Sequence, residues 1–498
     1  MSERNCFREG LSMSERLQKD AIGLAPVLFQ SITHMAPAAA VAFSIIFATT
    51  YAGGATPLAV VLALVACLMV AISIAQLARH LPSAGGLYTY SARGIHPVVG
   101  FFVAWGFMLA EPIVAPLLYL VFGNALSSYL NAHFGTPTWL WAPFAAAAGI
   151  GVWVLVYRGI RISTETGVAL GAFEIVVFLG LGITLIVAAG SNNTLSVFSP
   201  GTGNSSGLGS VFAGMVYTVL AFIGFEASAP LAEEAKDPRR TIPRAAILSC
   251  VLIGVFYLIC YYGATVYFGA GQMADPKNGF FAFNGNDPWD GLASKVWGPL
   301  SILVLLAILN SAFANSNAGA NAASRVGFAL GRVGILPRAL ATVHPRFKTP
   351  SMAIHVQGAL GIIIAIGLGF ALYNSGPAPS PLNAFALLGT VATLIIVGIY
   401  ILTNVANLVF YMREQRAELN VLWNVIVPVV GILIFIPVLV ASFGQDFAGL
   451  GIAGLTPPAS YAPAVVIVWM LIGVIVYFFL RSRSPAAIKE TAVTFVEA

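Results

Sequence analysis

The chain has 498 residues, of which 58% are hydrophobic and 9% charged, and its mean hydropathy is +0.88. A water-soluble fold of this size needs far more polar surface to cover its core, so the composition excludes an ordinary soluble protein. The formal net charge of +5 comes from cations in short loops beside apolar runs, the distribution of an oriented membrane protein rather than of a nucleic-acid-binding face.

The first twenty residues are polar and of mixed charge, without the basic, apolar and small-residue layout of a cleaved signal peptide. Met1-Ser2-Glu3-Arg4 recurs as Met13-Ser14-Glu15-Arg16, which reads either as coincidence or as an alternative start site. Twelve apolar stretches then follow, each about long enough to cross a bilayer: 24–50, 57–78, 97–130, 139–157, 164–189, 208–232, 243–269, 295–324, 351–373, 382–411, 421–443 and 462–481. With the N-terminus in the cytoplasm, 22 of the 24 Lys and Arg fall on the inner side, and Lys277 and Lys295 outside. One span more or fewer would scramble that alternation, so the positive-inside rule predicts twelve spans with both termini cytoplasmic. Trp139, Trp141, Trp289 and Trp297 lie near predicted outer boundaries, where indole rings favour the interface. Cys6, Cys67, Cys250 and Cys260 have no paired spacing and read as small hydrophobes, not as a disulfide or metal framework. No metal-ligand cluster, nucleophile elbow, phosphate loop or soluble domain points to an enzyme or a cofactor.

Two spans contain helix-breaking sequence. The first reads Thr33-His34-Met35-Ala36-Pro37-Ala38, where Pro37 removes a donor and leaves the Thr33 carbonyl without its partner. The sixth reads Ala221-Phe222-Ile223-Gly224-Phe225-Glu226, with a glycine at mid-span beside an acid. Freed backbone groups in a membrane must face protein or a water-filled cavity. Interrupted segments at matching positions of two halves point to a transporter's binding site, and spans one and six match if the first ten form two repeats of five. These two segments are the expected substrate site.

Glu111, Glu174 and Glu226 lie deep in apolar segments, and an ionisable group at membrane depth marks a polar pathway. Glu226 suits either a substrate ammonium or an anchor on freed amides. Glu111 precedes Pro112, with Pro116 one turn on, so its carboxylate and the open carbonyls of Met108 and Pro112 form a cation-friendly patch. His34 sits beside the first break as a proton carrier or a bonded core group. Span eight carries Asn310, Ser311, Asn315, Ser316, Asn317 and Asn321, which suit a sodium ion or bonding between helices. Trp105, Tyr119, Phe222 and Phe225 are candidate pocket aromatics.

Three stretches carry a family resemblance. Glu233-Glu234-Ala235-Lys236-Asp237-Pro238-Arg239-Arg240-Thr241-Ile242-Pro243-Arg244-Ala245 follows the Gly-Phe-Glu of span six. Pro82-Ser83-Ala84-Gly85-Gly86-Leu87-Tyr88-Thr89-Tyr90 precedes Gly94, Pro97, Gly100-Phe101 and Trp105. Ser324-Arg325 leads to Gly331-Arg332-Val333-Gly334-Ile335-Leu336-Pro337. Together they resemble the permeases of the amino acid–polyamine–organocation (APC) superfamily. The resemblance implies an all-α membrane protein of the LeuT type: a five-plus-five inverted repeat over residues 21–411, with helices 1 and 6 discontinuous. Two added helices over 412–482 would complete twelve, with a cytoplasmic segment at 1–20 and a tail at 483–498.

It also implies a bacterial inner-membrane secondary transporter for an amino acid or related amine. In relatives a Gly-rich turn in span one holds the substrate carboxylate with backbone amides, and His34-Met35-Ala36-Pro37-Ala38 departs from that pattern. Many relatives place a lysine in span five, eleven residues beyond the serine of a motif that Gly159-Ile160-Arg161-Ile162-Ser163 resembles. Here that position is Glu174, with the charge inverted. A carboxyl at membrane depth can hold and release a proton, which makes Glu174 the candidate for proton coupling, with sodium as the other coupling ion. A polyamine or organic-cation carrier is the alternative within the class, and an ion channel the alternative outside it.

Overall fold

Apolar segments out of water must close their own backbone hydrogen bonds, and this chain does so as helix. The computed structural model describes residues 22–483 apart from 84, 160–163, 203–206, 276, 333–335, 377 and 445–450. The repeated Met-Ser-Glu-Arg, the Ile160–Ser163 part of the span-five motif and Val333-Gly334-Ile335 lie outside the described residues. The principal helices are α1 (Leu24–His34), α2 (Ile45–Ala52), α3 (Thr56–Ala78), α4 (Gly86–Gly94), α5 (Pro97–Phe134), α6 (Trp141–Arg158), α7 (Thr164–Ala189) and α8 (Leu208–Phe222). They continue as α9 (Pro238–Phe268), α10 (Pro288–Trp297), α11 (Ile302–Arg332), α12 (Ser351–Ala371), α13 (Leu382–Arg413), α14 (Val427–Ser442) and α15 (Ala462–Arg483). Among the described residues there is no β-strand. An isolated bridge joins Ile22 to Ala235: the Ile22 N–H reaches the Glu234 carbonyl at 3.1 Å, and the Lys236 N–H reaches the Ile22 carbonyl at 2.8 Å.

Eleven described segments are long and apolar enough to cross a membrane. The first, Leu24–Ala78, has 55 residues and contains expected spans one and two. As one straight helix it would measure roughly 80 Å against roughly 30 Å of hydrocarbon. It is divided instead at Met35–Ala36 and at Gly53–Ala55, where Gly53 takes φ 56°. The other ten runs coincide with expected spans three to twelve. The largest shift is in span eight, expected from residue 295: Gly298 (φ 58°) and Pro299 end α10, and α11 begins at Ile302.

The long helix α5 runs through the interior against α6, α11, α12 and α13, while α3 packs on α9 and α14. At the periphery, α15 turns large apolar side chains outward: Ile475 is 69% exposed and Phe478 60%, which suits lipid contact. It is tied to the core by a reciprocal pair. Trp105 Nε1 donates to the Trp469 carbonyl at 2.8 Å, Trp469 Nε1 donates to the Trp105 carbonyl at 2.9 Å, and the two rings stack at 4.8 Å.

Candidate substrate site

Helix α1 stops at His34 because Pro37 offers it no N–H. The Met35 N–H turns back to Ser31 at 3.1 Å and the Ala36 N–H to the Thr33 carbonyl at 3.0 Å. The Thr33 carbonyl is therefore partnered, contrary to the sequence expectation, because the chain tightens into a shorter turn. Ala36 takes φ 46°, a left-handed conformation unfavourable for a residue with a Cβ, and helix resumes with Pro37 in its first turn. The carbonyls actually set free are those beyond the turn: His34 accepts from Asn315 Nδ2 at 2.9 Å, and Met35 from the Tyr257 hydroxyl at 3.3 Å. On the restarting side, the Ala38 N–H donates to Glu174 Oε2 at 3.2 Å, the Ala39 N–H to Ser311 Oγ at 3.2 Å and the Ala40 N–H to the Ala36 carbonyl at 2.8 Å.

Helix α8 ends at Phe222, and Gly224 takes φ 124° before a 3₁₀ segment over Phe225–Glu233. A Cβ on Gly224 would lie 2.7 Å from the His34 carbonyl carbon, so the two breaks touch backbone to backbone. Glu226 Oε2 accepts from the Gly224 N–H and from the Tyr400 hydroxyl, each at 2.9 Å. Ser31 Oγ donates to the Phe225 carbonyl at 3.0 Å, and the Tyr257 hydroxyl reaches the Ala221 carbonyl at 2.8 Å as well as Met35. One tyrosine thus stitches both breaks.

Two cavities meet this junction. The larger, about 830 Å³, is lined at the breaks by Thr33, His34, Glu111, Glu174 and Glu226, and extends to Gly85 and Arg325 at cation-rich helix ends. The smaller, about 80 Å³, touches His34, Met35, Ala36, Glu111, Ile223 and Asn315 and has an otherwise largely apolar wall. Glu111 borders both. The three carboxylates differ in kind. Glu174 and Glu226 are engaged with backbone amides, whereas Glu111 Oε2 is buried without a hydrogen-bond partner, as are Asn315 Oδ1 and Asn317 Oδ1. Helix α5 passes through Pro112 and Pro116 unbroken, and the Pro112 carbonyl is closed by Gln357 Nε2 at 3.1 Å. The expected open carbonyl there is thus filled by a side chain from α12.

Of the residues expected to bind substrate, Thr33, His34, Met35, Ala36, Ile223, Glu111 and Glu226 border a cavity. Pro37 and Ala38 are buried, and Gly224 forms the contact between the breaks. Ala221, Phe222 and Phe225 line neither cavity; the Phe222 ring meets Tyr257 and the Phe225 ring meets Tyr400, each at 5.3 Å. Trp105 lines the larger cavity, and Tyr119 is core. In α11, Asn310 bonds the Leu170 carbonyl and Ser316 the Phe313 carbonyl, while Asn317 and Asn321 border the larger cavity. Tyr257, Tyr400 and Gln357 were not anticipated: a hydroxyl or amide within an apolar helix gives no sign of which backbone group it will meet.

A multi-pass protein, helical across its described membrane segments, whose broken helices meet beside a largely apolar cavity bearing three glutamates is built as a membrane transporter. The chain belongs to the amino acid permease family, whose model matches residues 25–480, and its relatives are APC permeases. It is 27% identical over 368 residues to the low-affinity putrescine importer PlaP of Escherichia coli (strain K12), covering 72% of this chain and 78% of that protein. It is 26% identical over 462 residues to the methylthioribose transporter of Bacillus subtilis (strain 168), covering 89% of each. The branched-chain amino acid permease BcaP of Bacillus subtilis (strain 168) is 24% identical over 459 residues, covering 88% of each. These names span three chemistries of solute.

Proposed function

We propose that this protein is a secondary transporter that carries an amino acid or related amine across the cytoplasmic membrane by alternating access. The observation that supports it is the meeting of the two breaks at His34 and Gly224, at the head of the larger cavity and beside three carboxylates. The ten-helix inverted repeat with two added helices accounts for interruptions in the first and sixth spans and for the peripheral place of α15. The larger cavity reaches the cation-rich helix ends, so this conformation is open to the cytoplasm, with both termini on that side.

Proton coupling runs through Glu174. Its carboxylate accepts the Ala38 N–H at the restart of the first span. A charge-assisted bond is roughly twice as strong as a neutral one, so protonation loosens the grip of α7 on the break and links proton occupancy to the position of span one. Counterflow in proteoliposomes tests the transporter reading: labelled amine or amino acid should enter saturably, and faster when unlabelled solute is inside. A flux that neither saturates nor responds to solute on the far side would mark a channel. With Glu174→Gln, uptake should no longer follow an imposed pH gradient; unchanged pH dependence would remove Glu174 as the carrier.

A further inference from the structure

At the first break, hydrogen-bond donors and acceptors are unequally used. A zwitterionic amino acid needs donors for its carboxylate as well as acceptors for its ammonium. The amides that could serve as donors are already taken by the protein: Met35 by Ser31, Ala36 by Thr33, Ala38 by Glu174, Ala39 by Ser311 and Ala40 by Ala36. Pro37 has none. At the second break the Gly224 amide is taken by Glu226. Glu174 is itself a carboxylate, on α7, seated on the restarting helix where a ligand's carboxylate would otherwise sit. Dislodging the ionised group would leave a buried charge unpaired.

The unused groups are acceptors. Glu111 Oε2, Asn315 Oδ1 and Asn317 Oδ1 are buried without partners beside the two cavities. Asn315 is fixed in this orientation because its Nδ2 donates to the His34 carbonyl. Donor-bearing side chains away from the break also border the larger cavity, among them Gln30, Asn321 and Arg325, with the His34 ring nearer to it. Arg325 lies ten residues beyond Asn315 on α11, roughly 15 Å along the helix, at the cation-rich end. The His34 ring is within electrostatic range of Glu226.

Resting on the transporter reading above, we propose that the solute is an amine without a carboxylate, its ammonium received by Glu111 with the Asn315 side-chain oxygen, which border the same smaller cavity, while the ionised Glu174 fills the anion position of the first break. An amino acid is disfavoured because its carboxylate finds the backbone amides of the first break already taken and meets three resident carboxylates. Rejection by unpaired buried polar groups is strong because their lost hydration goes uncompensated.

The test compares amines with their carboxylated counterparts on the full-length protein in proteoliposomes. Cadaverine is paired with lysine, and isopentylamine with leucine, in counterflow and competition. Each amine should compete about tenfold or more better than its amino acid. Glu111→Gln should abolish amine uptake while the purified variant melts like the wild type; if it does not fold, Glu111→Asp, which keeps the charge but withdraws it, should weaken amine competition about tenfold. Glu174→Ala frees the Ala38 amide, so the preference for amine over amino acid should narrow. Amino acids competing as well as their amines, or amine uptake undiminished in the folded Glu111 variant, would overturn the proposal and leave the transporter reading standing. Failure of all four solutes to show saturable counterflow would overturn both.

Discussion

At Gly224 the two interrupted segments come closer than any side chain permits. A methyl group there would stand 2.7 Å from the His34 carbonyl carbon, and φ 124° is open in practice only to glycine. Gly224→Ala should therefore cut uptake about tenfold or more, measured at equal surface expression, because the clash and the strain, about 1–3 kcal/mol, fall where the breaks meet. Ala36 is the complementary case. It holds φ 46° despite its Cβ, at about 1 kcal/mol, so Ala36→Gly should keep transport and leave the melting temperature equal or higher, whereas Ala36→Val should lower both. The three glutamates were legible in the sequence because a charge in an apolar run is conspicuous. Their division of labour was not. It depends on partners 136 residues away for Glu174 and 174 away for Glu226, and spacing along one chain carries no record of such pairings.

The positions of the helices were well marked in the sequence, since the length of an apolar run and the placement of cations are local signals. Where a boundary moved, as at the start of α11, a glycine and proline outweighed hydropathy. Side-chain attachments between helices were not visible in this way. The Trp105–Trp469 pair binds α15 to α5 through two reciprocal bonds, each from an indole N–H to the other residue's backbone carbonyl, so Trp105→Phe and Trp469→Phe should each lower stability by about 0.6–1.7 kcal/mol in detergent melts. The segment before α10 behaves differently because it titrates. Asp287 caps α10 through the Asp290 N–H at 3.3 Å, and burial, then the neighbouring Asp290 carboxylate, lift it from 3.8 to about 7. An acid raised in the folded state binds its proton more tightly there. Its stabilisation is complete below about pH 4 and is lost as pH climbs to about 7. The wild type should melt higher at pH 5 than at pH 8, and Asp287→Asn should shrink that difference, with His133 on Asp290 left in place.

For the molecule as a whole, accessibility reports which side is open. Cys67, Cys250 and Cys260 are buried, so a cysteine placed at Ala318, in the wall of the larger cavity, can be read alone once Cys6 is replaced by Ser. A membrane-impermeant maleimide should label Ala318→Cys from the cytoplasmic face and Leu117→Cys, beside the smaller cavity, from neither. Labelling of the former from outside alone would invert the assigned orientation.

The small bridge between Ile22 and Ala235 has a mechanical implication. It clasps the lead-in to the first helix against the exit from the sixth, at the opposite end of both from the His34–Gly224 contact. Two segments joined at two separate points resist sliding or splaying past one another, so under the alternating access proposed above they should swing together as a single lever. Spin labels flanking the clasp should hold one separation while the cavity closes on one side and opens on the other, and the changing distances should lie between this lever and the helices it rocks against.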